Sequence, residues 1–193
     1  PLDRYLQGDK QALTDPQIRG MALFNGKANC LACHNGAFAT DERYYNIGVP
    51  PLKRWETDGL AQITFRFEYY AKGASEELYR TAKADAGLYF RTKNEWDKGK
   101  FRTPTLRYTK YTAPYMHNGA LKTLKEVVEF YNRGGFAKPE TGEEQGRTTD
   151  WPQNKTPLIQ PLGLTDEEIE DLVAFLEAFS GDKITIDRPK LPD

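Results

Sequence analysis

The sequence predicts a mostly helical, loop-rich fold. Three segments open on a capping box and continue with apolar residues at helical spacing. No strand-type alternation runs beyond a few residues. The rest is rich in glycine, proline and polar residues, so it reads as long loops that need something to hold them.

The first helix opens at Thr14, with Gln17 as its box partner and Pro16 tolerated in the first turn. Ile18, Met21 and Ala22 recur at helical spacing, and Gly26 stops it. The second opens at Thr123 with Glu126, continues through Leu124, Val127, Val128 and Tyr131, and ends at Gly134-Gly135. The third and clearest runs from Thr165, with Glu168 as box residue, to about Phe179. Its Ile169, Leu172, Val173, Leu176 and Phe179 form one apolar stripe opposite an acidic face. Between Glu56 and Ala84 the signal is weaker, and Phe65, Tyr69 and Tyr70 fit either a helix or packed loop. Pro50-Pro51, Gly48, Gly59 and the polar stretch from Lys138 to Thr156 mark loops. The expected division is a linker-like arm over 1–13, one domain over 14–180 and a surface tail over 181–193. The first helix is expected to cross the last, with Gly20 allowing close approach and Phe24 meeting Phe175 or Phe179.

The chain has 193 residues, room for one generous domain or two small ones, and enough to bury a core. Twenty-seven basic against 28 acidic residues give a net charge of -1, which argues against a dedicated nucleic-acid or membrane-surface binder. No apolar run approaches the ~20 residues of a spanning helix. The first residues, Pro1-Leu2-Asp3-Arg4-Tyr5, are not an export signal, so one is expected upstream or already removed.

The two cysteines fall in Cys30-Leu31-Ala32-Cys33-His34, the C-x-x-C-H pattern of covalent haem c attachment. Two thiols about one turn apart can add to the two vinyl groups of one porphyrin, and the adjacent imidazole then reaches the iron. The disc would also supply an organising core for the loops. Zinc would want two further ligands, yet the other histidine is His117 and no cysteine remains. A redox dithiol would want a βαβ context, which the pattern lacks. The expectation is one haem c, held by Cys30 and Cys33, with His34 as proximal ligand.

For the opposite face the candidates are Met21, Met116, His117, Tyr131 or nothing. Met21 precedes the attachment motif on its own helix and reads as core. Met116 and His117 lie in the turn-prone Thr112-Ala113-Pro114-Tyr115-Met116-His117-Asn118-Gly119. Thioether and imidazole are the ordinary haem ligands and phenolate the unusual one, so chemistry alone favours Met116 or His117.

Several separated motifs occur in order: Asp3-Arg4-Tyr5-Leu6-x-Gly8-Asp9, Gly26-Lys27-Ala28-x-Cys30-x-x-Cys33-His34, Phe38-x-x-Asp41, Asn46-x-Gly48-Val49, Lys100 to Arg107 (KFRTPTLR) and Thr112 to Gly119. Together they resemble the bacterial dihaem cytochrome c peroxidase and MauG family, specifically its C-terminal, electron-transferring haem domain. The resemblance implies an all-α, cytochrome c-like haem domain with long loops. It implies that the distal ligand lies on the helix after the Pro-Tyr turn, at Tyr131, with Met116 as the alternative. A phenolate there stabilises ferric iron and lowers the reduction potential. Against ligation stands a plain helix tyrosine hydrogen-bonded at its hydroxyl.

The resemblance also implies calcium at a domain boundary, bound through the backbone carbonyls of Thr112 and Pro114 with a further ligand from another domain. His117 is expected to hydrogen-bond near the haem. The family's peroxide-reacting domain does not match this chain, so little peroxidase activity is expected of it alone. The implied role is relaying electrons between a redox donor protein or protein substrate and a second haem on another chain or segment, in the periplasm. The competing reading is a free-standing monohaem c-type electron carrier.

Overall fold

The structure, a computed structural model, describes residues 1–52, 57–135 and 150–186. Among these it is mostly helical. The helices are α1 (Leu2–Leu6), α2 (Asp15–Asn25), α3 (Gly59–Ala71), α4 (Glu76–Thr81), α5 (Tyr89–Thr92), α6 (Leu124–Asn132) and α7 (Asp166–Ala178), joined by long loops and short 3-10 turns. No described helix is long and apolar enough to cross a membrane.

The three boxed helices form where their caps place them. Thr14 N donates to Gln17 Oε1 at 3.0 Å ahead of α2. Thr123 and Glu126 exchange two 3.1 Å bonds ahead of α6. Thr165 N donates to Glu168 Oε2 at 2.8 Å ahead of α7. Each bond satisfies a backbone N–H that the helix itself cannot. Gly26 closes α2.

α2 and α7 make the principal helix contact, and α6 packs on α7. The crossing turns on Gly20: a Cβ there would stand 2.0 Å from the Asp171 carbonyl oxygen and 2.7 Å from Phe175 Cβ. The Asp171 carboxylate is gripped from the other side by Arg19, with Nε and Nη2 each at 2.7 Å from one oxygen. Phe24 meets both expected partners, with ring centroids at 5.3 Å from Phe175 and 5.8 Å from Phe179. Burying a ring of this kind contributes about 1.5–3 kcal/mol. Leu124, Val128, Ile169, Leu172 and Leu176 complete this core.

A second core lies around Tyr69, Leu78, Ala82, Ala84, Ala86, Tyr89 and Trp151. It belongs to α3, α4 and α5, where the sequence signal is weak. The reason is visible in α3: Tyr69 is buried, while Leu60, Ile63, Phe67 and Tyr70 are exposed. Apolar residues on more than one side erase the single stripe by which such a helix is recognised. Asp58 and Ser75 nevertheless cap α3 and α4, accepting from Ala61 N and Leu78 N.

The loops are fastened at a few points. Two short strands, β1 (Tyr44–Tyr45) and β2 (Phe101–Arg102), pair antiparallel with Tyr45 opposite Phe101. Gly48 has φ +85°, and a Cβ on it would lie 2.6 Å from the Gly135 carbonyl oxygen, so the two chain segments touch backbone to backbone. Buried Asn46 holds the same place, donating to Trp151 O and accepting from Gly48 N. Over the expected linker-like arm, Leu2 and Leu13 are buried in the main core and Asp3 pairs with Arg107 at 2.8 Å. These contacts make it an integral part of the fold. Of the tail expected over 181–193, residues 187–193 lie outside the described region, as do Trp55 and most of the loop from Lys138.

Gly20→Ala should lower unfolding stability by about 3 kcal/mol or more, because backbone carbonyl stands where the methyl must go and overpacking is costly. Urea denaturation followed by circular dichroism measures it, and a loss below 1 kcal/mol would contradict the crossing as described.

Candidate functional site

Between the two cores lies a cavity of about 530 Å³, a size typical of small-molecule and cofactor sites. Its walls are mostly apolar, including Phe24, Leu124, Val128, Leu172 and Leu176 from the main core. Cys30, Cys33, His34, Thr112, Pro114, Met116, His117 and Tyr131 all line it. These come from three separate places in the chain. Met21 packs instead against the main core.

The attachment motif is a single tight turn. Asn29 adopts the left-handed region at φ +50°, Cys30–Ala32 form a 3-10 turn, and His34 N donates to Cys30 O at 2.9 Å. Burial pushes the Cys30 thiol up to about 12 and raises Cys33 as well, so both are neutral thiols. His34 Nδ1 sits 3.1 Å from the Ala39 carbonyl oxygen. A carbonyl can only accept, so Nδ1 carries the proton and Nε2 keeps a free lone pair. Burial lowers the His34 pKa, which keeps the ring neutral and able to ligate. This backbone partner is the orienting contact that metal-binding histidines use.

Tyr131 stands in the last turn of α6, half-buried. Burial raises its phenol well above the ordinary value. Among the described residues no hydrogen-bond partner meets its hydroxyl; its ring contact is with Phe130. A polar atom left unpaired at an apolar wall calls for an explanation, and a ligand is one.

Met116 lines the same cavity at φ +69°, rare for a side chain of its size. His117 stacks flat on Phe101, with centroids 3.6 Å apart and planes 9° from parallel. Burial lowers its pKa to about 4. Its contact among the described residues is this ring stack. Beside Thr112 and Pro114 no group of three or more His, Cys, Asp or Glu side chains gathers among the described residues.

The donor set fits a haem. Two neutral thiols one turn apart, a neutral imidazole with one free nitrogen, an unpaired phenol and apolar walls share one cavity. Sequence reasoning assigned no role to Tyr45, Asp41 or Phe101, and it could not see the Ala39 carbonyl, since every backbone offers one.

No family model matches the chain. Cytochrome-c peroxidase IdrP1 of Pseudomonas sp. (strain SCT) is 51% identical over all of this chain, which covers 47% of that protein. Methylamine utilization protein MauG of Methylorubrum extorquens is 30% identical over all of it, with 42% of that protein covered. Among solved structures, a MauG-like protein associated with microbial copper homeostasis superposes with a TM-score of 0.67 at 30% identity, over 94% of this chain and 51% of that one. A variant of the diheme peroxidase BthA from Burkholderia thailandensis gives 0.63 at 26%, over 87% and 42%. The chain spans about half the length of the curated relatives it matches.

In the haem-free chain, iodoacetamide at pH 8 should label Cys33 ahead of Cys30, whose thiol stays protonated until the pH nears 12. Peptide mapping by mass spectrometry reads the order, and faster labelling of Cys30 would contradict the burial described.

Proposed function

We propose that this chain, homologous along its whole length to part of the cytochrome-c peroxidase and MauG proteins, is a cytochrome c-like haem domain of a dihaem oxidoreductase. The observation that carries the reading is the meeting of Cys30, Cys33, His34 and Tyr131 around one apolar cavity. The domain would carry one covalent haem c and take in, besides residues 14–180, the N-terminal arm whose Leu2 and Leu13 lie in its main core.

Haem, when bound, supplies a one-electron iron couple. The chain's own residues set the terms. Cys30 and Cys33 anchor the edge of the macrocycle. His34 offers Nε2 because Nδ1 is committed to Ala39. Tyr131 would be the second side chain to hold the iron in this reading, with Met116 the alternative. Burial alone favours the neutral phenol, so it is the positive charge of the iron that would draw off its proton. The resulting anionic oxygen favours ferric iron and lowers the potential. The apolar walls exclude water and strengthen these effects.

The relay would run between a redox donor protein or protein substrate and a second haem on another chain or segment. Covalent haem attachment implies a periplasmic location after export. Calcium at the boundary, through the carbonyls of Thr112 and Pro114, would need its remaining ligand from that second unit.

The deciding measurement is the haem count and native mass of the complex purified from its source. Two haems, the second on another chain or segment, support the dihaem reading. One haem in a lone chain favours the monohaem carrier. Cys30→Ser with Cys33→Ser should abolish covalent haem, read from the intact mass. Tyr131→Phe should change the ferric spectrum and raise the reduction potential, while Met116→Ala does neither. An unchanged Tyr131→Phe together with an altered Met116→Ala retires the tyrosine assignment.

A further inference from the structure

Tyr45 lines the cavity from β1, and its hydroxyl donates to Asp41 Oδ2 at 2.8 Å. Cys33 lines the same cavity. Asp41 is held as a carboxylate: burial opposes its charge, but hydrogen bonds from Arg43 N and the Tyr45 hydroxyl outweigh it and keep its pKa low. Other described tyrosines are bonded differently. Tyr115 donates to Thr109 O, Tyr111 to Gly181 O and Tyr69 to Ala84 O, all backbone carbonyls, and Tyr131 meets no hydrogen-bond partner among the described residues. Among the described residues, Tyr45 is the tyrosine whose hydroxyl donates to a carboxylate.

That difference matters for one kind of chemistry. Removing an electron from a phenol makes its O–H strongly acidic, so the electron leaves readily only where a base can take the proton. A backbone carbonyl cannot, whereas a carboxylate at 2.8 Å can. We propose that Tyr45 is a redox-active residue, giving an electron to an oxidised haem in the cavity while its phenolic proton passes to Asp41. The inference rests on the haem reading above, with peroxide as the class of terminal oxidant.

The step balances. The Tyr45 O–H bond breaks, an O–H bond forms on Asp41, and the haem's oxidising equivalent falls by one electron. Tyr45 becomes a neutral phenoxyl and Asp41 a neutral acid, so no new charge is stranded in an apolar wall. An electron arriving from a donor reverses each change. Tyr45 and Cys33 line one cavity, so a haem held there would share it with the phenol.

The test uses the haem-loaded full chain, oxidised by photogenerated ruthenium(III) tris(bipyridine), frozen and read by electron paramagnetic resonance. A tyrosyl signal is expected in the wild type and in Tyr111→Phe, and its loss in Tyr45→Phe. Asp41→Asn should slow its formation on the order of 100-fold, the scale of a lost proton acceptor. Wild-type protein in deuterium oxide should show one strongly coupled exchangeable deuteron at the radical, a reading that needs no variant. Persistence of the signal in Tyr45→Phe, or absence of that deuteron, overturns the inference. Intact mass gives the haem content separately: a chain without haem overturns the inference and the reading beneath it, whereas a loaded chain with a misplaced radical overturns the inference alone.

Discussion

Everything near the cavity depends on how closely α2 approaches α7. A glycine at position 20 lets backbone touch backbone, and Asp171 serves the contact twice, with its carbonyl against Gly20 and its carboxylate in the grip of Arg19. Because the helices are pinned there, Phe24 lands on Phe175 and Phe179. The chain then leaves α2 at Gly26, with Lys27 reaching Glu168 at 2.6 Å across the gap. That surface pair adds little stability, but it fixes direction. The cysteine turn begins three residues later. Its position in space is inherited from a helix crossing that contains none of the reactive atoms.

α6 is positioned by a comparable economy. Asn132 bonds both ways to Leu164, donating to its carbonyl at 3.1 Å and accepting from its N–H at 2.8 Å. The end of α6 is thereby stitched to the start of α7. Tyr131, next to that stitch, therefore keeps its relation to the same helix that positions the cysteine turn. Two segments a hundred residues apart in sequence are registered against one common support.

What could be read in advance follows from which signals are local. The capping boxes at Thr14, Thr123 and Thr165 and the stripe on α7 lie within a few residues of each other, so they announced their helices. The crossing at Gly20 was also legible, since a lone glycine on an otherwise apolar face has few other uses. α3 escaped because Leu60, Ile63, Phe67 and Tyr70 crowd its outer side and blur the period. The finer features of the cavity depend on loop closure over long separations. Tyr45 meets Asp41 across a turn, His117 meets Phe101 across the paired loops, and His34 meets a carbonyl that no residue letter encodes.

The bond between His34 and Ala39 has an evolutionary consequence. The acceptor belongs to the main chain, so no substitution at position 39 can delete it. What a mutation there can do is fail to fit: Ala39 is 2% exposed and has φ +50°. Drift at this position is thus filtered by bulk and backbone shape, while the chemistry that orients the imidazole passes from sequence to sequence unchanged. A lineage could rewrite much of this loop and still hand down the same nitrogen, facing the same way.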